Sequence, residues 1–134
     1  MTGKGSLNHN SRKFHAKNTD PNRTHWNVEY CNEDIKDVYH ELFDDALKRY
    51  NDKQTRKDRK IDDYYEKIRS GKQEKLFHEV ILQIGDKDNM GSETMEGQLA
   101  AKILDEYMKG FQERNPTLRV FAAHLHLDEA TPHL

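Results

Sequence analysis

Residues 118–127 alternate with a period of two, the spacing of an extended strand. Val120, Ala122, His124 and His126 share one face, while Phe121, Ala123, Leu125 and Leu127 take the other. One face is apolar throughout, and the other changes from apolar to imidazole toward its end. Asp128 and Glu129 then leave the strand, Thr131 and Pro132 turn the chain, and His133 can begin a return strand. His124, His126 and His133 thus stand close to two carboxylates within one short segment. Histidine is the commonest metal-binding side chain, and neighbouring carboxylates can share coordination or orient the rings. A strand end whose histidines meet only water explains one such residue well and three poorly. A metal or catalytic site is expected here.

The rest of the chain supplies the frame. Residues 1–8 contain Gly and Ser and start without a core element, and residues 18–22 carry a turn signal. Residues 24–30, 76–84 and 118–127 read as strands of one sheet. Ile35, Val38, Tyr39, Leu42, Phe43, Ala46, Leu47 and Tyr50 recur at helical spacing, with Asn32 or Asp34 as cap. A second, shorter helix carries Ile61, Tyr64, Tyr65 and Ile68 and ends near Ser70 and Gly71. A third carries Leu99, Ala100, Ile103, Leu104, Tyr107, Met108 and Phe111 and stops before Pro116. Helices over 33–50 and 96–112 are expected to cover one face of the sheet. The aromatic stripes on these helices read as core. The order of elements gives α/β or α+β with few strands. A single domain over 1–134 follows, with a helical hairpin at 31–72 inside it.

Composition sets the bounds. The 134 residues are 34% hydrophobic and 34% charged, which describes a very polar chain with solvated helices. No apolar run is long enough to cross a membrane, and no secretion signal is visible. The single Cys31 excludes an internal disulfide and suits a reducing compartment, so the cytoplasm is expected. A net charge of -2 decides nothing about nucleic acid, but its distribution is uneven. Lys4, Arg12, Lys13, Lys17 and Arg23 face only Asp20 within residues 1–28, an electrostatic footprint suited to phosphate. The basic block from Lys53 to Lys60 reads as a solvated linker between two helices.

A second constellation lies near the N-terminus. His9, Asn10, Ser11 and Arg12 place an imidazole three residues before a guanidinium, which could attack and clamp a phosphate respectively. Together with the C-terminal cluster, this sequence resembles the MobV-type plasmid mobilisation relaxases, the Mob/Pre or plasmid recombination family. His9-Asn10-Ser11-Arg12 is similar to that family's H-N-x-R motif. Asn27-Val28-Glu29-Tyr30 is similar to its N-Y-E-L-type strand. The run from His126 to His133 resembles its H-x-D-E-x-x-P-H-x-H motif. The resemblance spans residues 4 to 134.

The resemblance implies an antiparallel sheet with helices on one face, an incomplete palm of the HUH-nuclease kind. It implies metal-dependent nicking of one strand of origin-of-transfer DNA, single-stranded or supercoiled, by transesterification, with covalent attachment to the 5′ end. His9 matches the nucleophile, Glu129 the acid that orients it or takes its proton, and His126 and His133 two of three metal ligands. Asn10, Arg12, Lys13 and Arg23 are the expected phosphate contacts, and Tyr30 is the substitute nucleophile. The cofactor implied is a divalent metal, manganese or magnesium. Further partners could include coupling or accessory transfer proteins. A third histidine would stand at 135 and a fuller strand would precede His9, so truncation at both ends and an impaired enzyme are expected. His124 is assigned a structural or supporting role. A non-catalytic origin-DNA-binding module and an unrelated metal-dependent hydrolase are the competing functions.

Overall fold

The structure, a computed structural model, describes residues 2–3 and 6–134. The chain divides into two compact units: Met1–Asn32 with Glu79–Leu134, and Glu33–His78.

The first unit holds the strands β1 (Thr2–Gly3), β2 (Val28–Asn32), β3 (Glu79–Val80) and β4 (Ala122–Leu125). It also holds the helices α1 (Leu7–Asn10), α4 (Met95–Lys109) and α5 (Phe111–Arg114). β2 pairs antiparallel with β4, and β1 pairs antiparallel with β3. The single expected sheet is therefore broken into two ladders. His133 links them, bridging His126 on one side and Gln83 on the other. Its neighbour Leu134 exchanges backbone bonds of 2.9 and 2.8 Å with Leu82. The resulting order is β2, β4, the return segment at 133–134, the extended stretch after β3, then β1. Every neighbouring pair is antiparallel.

Several expected boundaries shift. Residues 24–26 form a 3-10 turn rather than strand, because Trp26 and Asn27 donate back to Arg23 and Thr24. Only Ala122–Leu125 of the long alternating run forms a strand, with His126 adding a single bridge, and only Glu79–Val80 of 76–84, with Gln83 adding another. Strand bounds follow partners, and periodicity alone carries no partner. Thr2–Gly3, read as lacking an element, pairs with β3. In β2, Glu29 opposes His124 while Cys31 opposes Ala123, so Tyr30 is the extra residue of a bulge.

α4 packs on β4. Ala100 and Leu104 are buried on the helix, as is Leu125 on the strand. Tyr30 donates to Asp105 of α4 at 2.5 Å, and Lys109 closes on the same carboxylate at 2.6 Å. Thr94 caps α4 by accepting from the Gly97 N–H. A Cβ at Gly97 would stand 1.9 Å from the Gly91 carbonyl oxygen, so glycine lets the first turn sit against the 91–92 loop.

The second unit holds α2 (Ile35–Asp52) and α3 (Tyr64–Ser70), capped by Asp34 and Asp63. Val38 and Ile68 are buried, and Tyr39, Phe43, Tyr64 and Tyr65 form one aromatic cluster. Asn51 braces the connection by bonding both the N–H and the carbonyl of Ile61. Among the described residues, no helix is long and apolar enough to cross a membrane.

Candidate metal and nucleophile site

α1 ends in a Schellman turn. The Lys13 N–H bonds the Asn8 carbonyl and the Arg12 N–H bonds the His9 carbonyl, both at 3.0 Å. The residue in the left-handed position is usually glycine, but here it is Arg12, with φ 52°. That conformation costs a side-chain-bearing residue about 1–2 kcal/mol. The side chain offers the compensation. Nε and Nη2 donate to Asp128 at 2.9 and 2.6 Å, and Nη2 also donates to Glu129 at 2.9 Å. Nη1 faces His9 Nε2 at 3.3 Å and donates to the His9 carbonyl at 3.0 Å. Of the five N–H donors of a guanidinium, four have oxygen acceptors here, and the fifth faces the His9 ring nitrogen. Arg12 was expected to clamp phosphate. The structure places it against two carboxylates and the His9 ring.

Asp128 is fully buried. Burial alone would raise its pKa, but the hydrogen bond and charge of Arg12, with the Thr24 hydroxyl, hold it down at about 2. The Asn27 side-chain oxygen accepts from the Leu127 and Asp128 N–H groups, fixing the turn that follows β4. Ser92 donates to the Glu129 carbonyl at 3.0 Å, and its N–H bonds the Ala130 carbonyl. The backbone carrying Glu129 therefore rests on the loop that packs against Gly97. Asn18 donates to Glu129 Oε2 at 2.8 Å.

Glu129 Oε1 is the point of convergence. It lies 3.4 Å from His9 Nε2 and 3.8 Å from His133 Nε2. His126, Glu129 and His133 each offer one ligand atom, all within 4.8 Å of one another. Carbonyl groups behind the two rings set their tautomers. His126 Nε2 donates to the Asn10 carbonyl at 2.8 Å, and His133 Nδ1 donates to the Thr131 carbonyl at 3.2 Å. A carbonyl only accepts, so the protons sit on those nitrogens. His126 Nδ1 and His133 Nε2 then present lone pairs to each other at 3.2 Å. Two facing lone pairs beside a carboxylate form a donor set for a cation. Burial strengthens this reading, since desolvation lowers the pKa of His126 to about 4 and keeps it neutral.

The remaining expected residues are placed as follows. His124 stacks on His126 with centroids 5.9 Å apart and its Nδ1 is 3.7 Å from Glu29, outside the ligand cluster. Burial lowers its pKa as well. The Asn10 side chain donates to Glu79. Arg23 is held by Asp20 at 3.1 Å and by the Leu127 carbonyl at 3.3 Å. Lys13 is exposed. Tyr30 donates to Asp105, and burial first, then that carboxylate, raise its pKa above the ordinary phenol value. Thr24, Asn18 and Ser92 had not been singled out from the sequence. Their partners are distant along the chain, and only the fold brings them in.

A family model described as plasmid recombination enzyme (Mob_Pre) matches residues 4–134. The comparison with curated proteins found no match. Among solved structures, the chain is similar to the MobM relaxase domain (MOBV; Mob_Pre) bound to 22-nucleotide plasmid pMV158 oriT DNA, in a Mn-bound crystal structure at pH 5.5. The two are 27% identical with a TM-score of 0.51, and the match covers 95% of this chain and 58% of that one. The chain thus spans less than two thirds of that relative's length. With the family model matching nearly every residue and the α+β fold shared with a relaxase domain, the chain belongs to the plasmid recombination enzyme (Mob_Pre) family.

Proposed function

We propose that this chain forms the nucleophile and metal site of a plasmid mobilisation relaxase, acting on origin-of-transfer DNA in the bacterial cytoplasm. The observation that carries the proposal is the meeting of His9, Glu129 and His133 around one carboxylate oxygen. His126, His133 and Glu129 would hold a divalent metal, manganese by analogy with the relative or magnesium. When bound, such an ion polarises a phosphate and offsets its developing charge.

The chain's own residues do the rest. His9 passes its Nε2 proton to Glu129, and the freed lone pair attacks phosphorus. A P–N bond forms, the bond from phosphorus to the 3′ oxygen breaks, and Glu129 returns the proton to that oxygen. The 5′ end stays on His9 and a 3′ hydroxyl is released. Arg12 positions the ring of His9 and the carboxylate of Glu129 together. Exposed Lys13 contacts backbone phosphate, with Asn10 and Arg23 as further phosphate contacts. Tyr30 is a poor substitute nucleophile, because its hydroxyl is held protonated on Asp105.

The test uses the origin region of the plasmid that encodes the chain, as a supercoiled substrate with manganese. The proposal expects one nicked strand and a detergent-resistant protein–DNA adduct, both lost with a chelator. Cleavage without attachment would instead indicate a hydrolase using water. Binding without cleavage would indicate a non-catalytic module.

A further inference from the structure

The left-handed turn at Arg12 turns residues 13–17 away from α1, and Lys13, Phe14, His15 and Lys17 are all exposed. Phe14 has half of its surface, 50%, in water. The other described phenylalanines are more buried. Leaving such a ring in solvent forfeits a sizeable hydrophobic contribution, so its position calls for a reason. The ring lies beside the proposed nucleophile: the Phe14 and His9 centroids are 5.8 Å apart, inclined at 48°. The segment alternates an exposed aromatic ring with cationic and titratable side chains. That is the chemistry of single-stranded nucleic-acid recognition, in which basic groups track phosphates and an aromatic face stacks a base.

We propose that Phe14 is a stacking platform for the nucleobase next to the phosphate held at His9. This rests on the origin-DNA reading above. A base attached to the nucleotide whose phosphate meets His9 lies one sugar away from it, and the Phe14 ring is the exposed aromatic surface in direct contact with His9. Lys13 and Lys17 flank the ring with charge complementary to the neighbouring phosphates. Phe14 is then a positioning residue: it fixes the strand so that phosphorus lies in line with the His9 nitrogen.

The experiment separates base stacking from simple support of the His9 ring. Binding is measured by fluorescence anisotropy, at one salt concentration, to a short dT oligonucleotide and to an equally long strand of abasic sugars with the same phosphates. Phe14→Ala and Phe14→Leu should bind the dT strand about 5- to 100-fold more weakly, the range expected for losing one base–aromatic stack. Both should bind the abasic strand as the parent chain does, and Phe14→Trp should retain dT binding. Manganese affinity should be unchanged in all three, which checks that the site is still formed. Undiminished dT binding in Phe14→Leu, or an equal loss on both strands, would overturn the stacking role. Failure of the parent chain to bind either strand would sink the origin-DNA reading itself.

Discussion

His9 Nε2 lies 3.4 Å from Glu129 Oε1, although the two residues stand near opposite ends of the chain. The same oxygen accepts from Arg12 Nη2 and lies 3.8 Å from His133 Nε2. One carboxylate thus touches the proposed nucleophile, the guanidinium that aligns it and the metal-ligand pair. Glu129→Gln keeps the shape and removes the proton acceptor and the charge. Nicking should fall by about 10²–10⁴-fold, the range for losing general-base assistance, and manganese affinity should fall with it. Single-turnover kinetics at saturating manganese, beside calorimetric manganese titration, separate the two effects. Unchanged turnover would remove Glu129 as proton acceptor, and unchanged manganese affinity would remove it as a ligand.

Arg12 offers a test of strain against charge. Arg12→Gly relieves the left-handed backbone, a gain of about 1 kcal/mol. It also leaves Asp128 buried without its cation, a loss of about 3–5 kcal/mol. The charge effect is larger, so the variant should be less stable in urea. Adding Asp128→Asn to Arg12→Gly should recover part of the loss, because the two residues form one buried pair. If Arg12→Gly were as stable as the parent, the pairing would carry no stability.

Gly97→Ala should destabilise the first unit by about 2 kcal/mol, despite the better helix propensity of alanine. The added Cβ would stand 1.9 Å from the Gly91 carbonyl oxygen, and backbone must move to admit it. That movement passes through Ser92 to the Glu129 carbonyl, so manganese affinity should weaken too. Urea unfolding and manganese titration of the variant check both. A stabilised Gly97→Ala would mean that the 91–97 packing is looser than described.

His126 gives stability a pH dependence in the absence of metal. Burial depresses its folded pKa to about 4, below the ordinary 6.5. Between these values the unfolded chain binds a proton that the folded chain refuses. The stability contribution is therefore complete above about pH 6.5 and is lost as pH falls toward 4, by on the order of 3 kcal/mol. Urea midpoints with chelator should fall over this window, and His126→Gln should flatten the slope there. A midpoint constant from pH 7 to 4.5 would contradict a buried neutral imidazole.

How far the sequence went can be argued from these residues. The periods over 35–50 and 99–111 located α2 and α4, since an apolar stripe at helical spacing must be buried somewhere. The family resemblance marked His126 and His133 as metal ligands and Glu129 as the acid beside His9; that Glu129 also stands within ligand distance of both rings comes from the fold. Strand lengths were overestimated, because a ladder ends where its partner ends: residues 118–121 alternate without joining β4. The position of Arg12 was legible but its partner was not. A guanidinium near a histidine suggests phosphate, and only the fold brings Asp128 to it. Ser92 and Thr24 carry no local signature, as their hydroxyls meet residues far along the chain.

The central claim is that His9 carries the DNA. It is tested most directly by nicking a single-stranded origin oligonucleotide with the chain and manganese, digesting the adduct with protease and nuclease, and locating the nucleotide by mass spectrometry. The claim predicts a nucleotide phosphate on the peptide containing His9, at the His9 ring, acid-labile as a P–N bond should be, and absent from His9→Ala. A phosphate mapped to Tyr30 or another residue, or efficient nicking with no modified peptide, would contradict it.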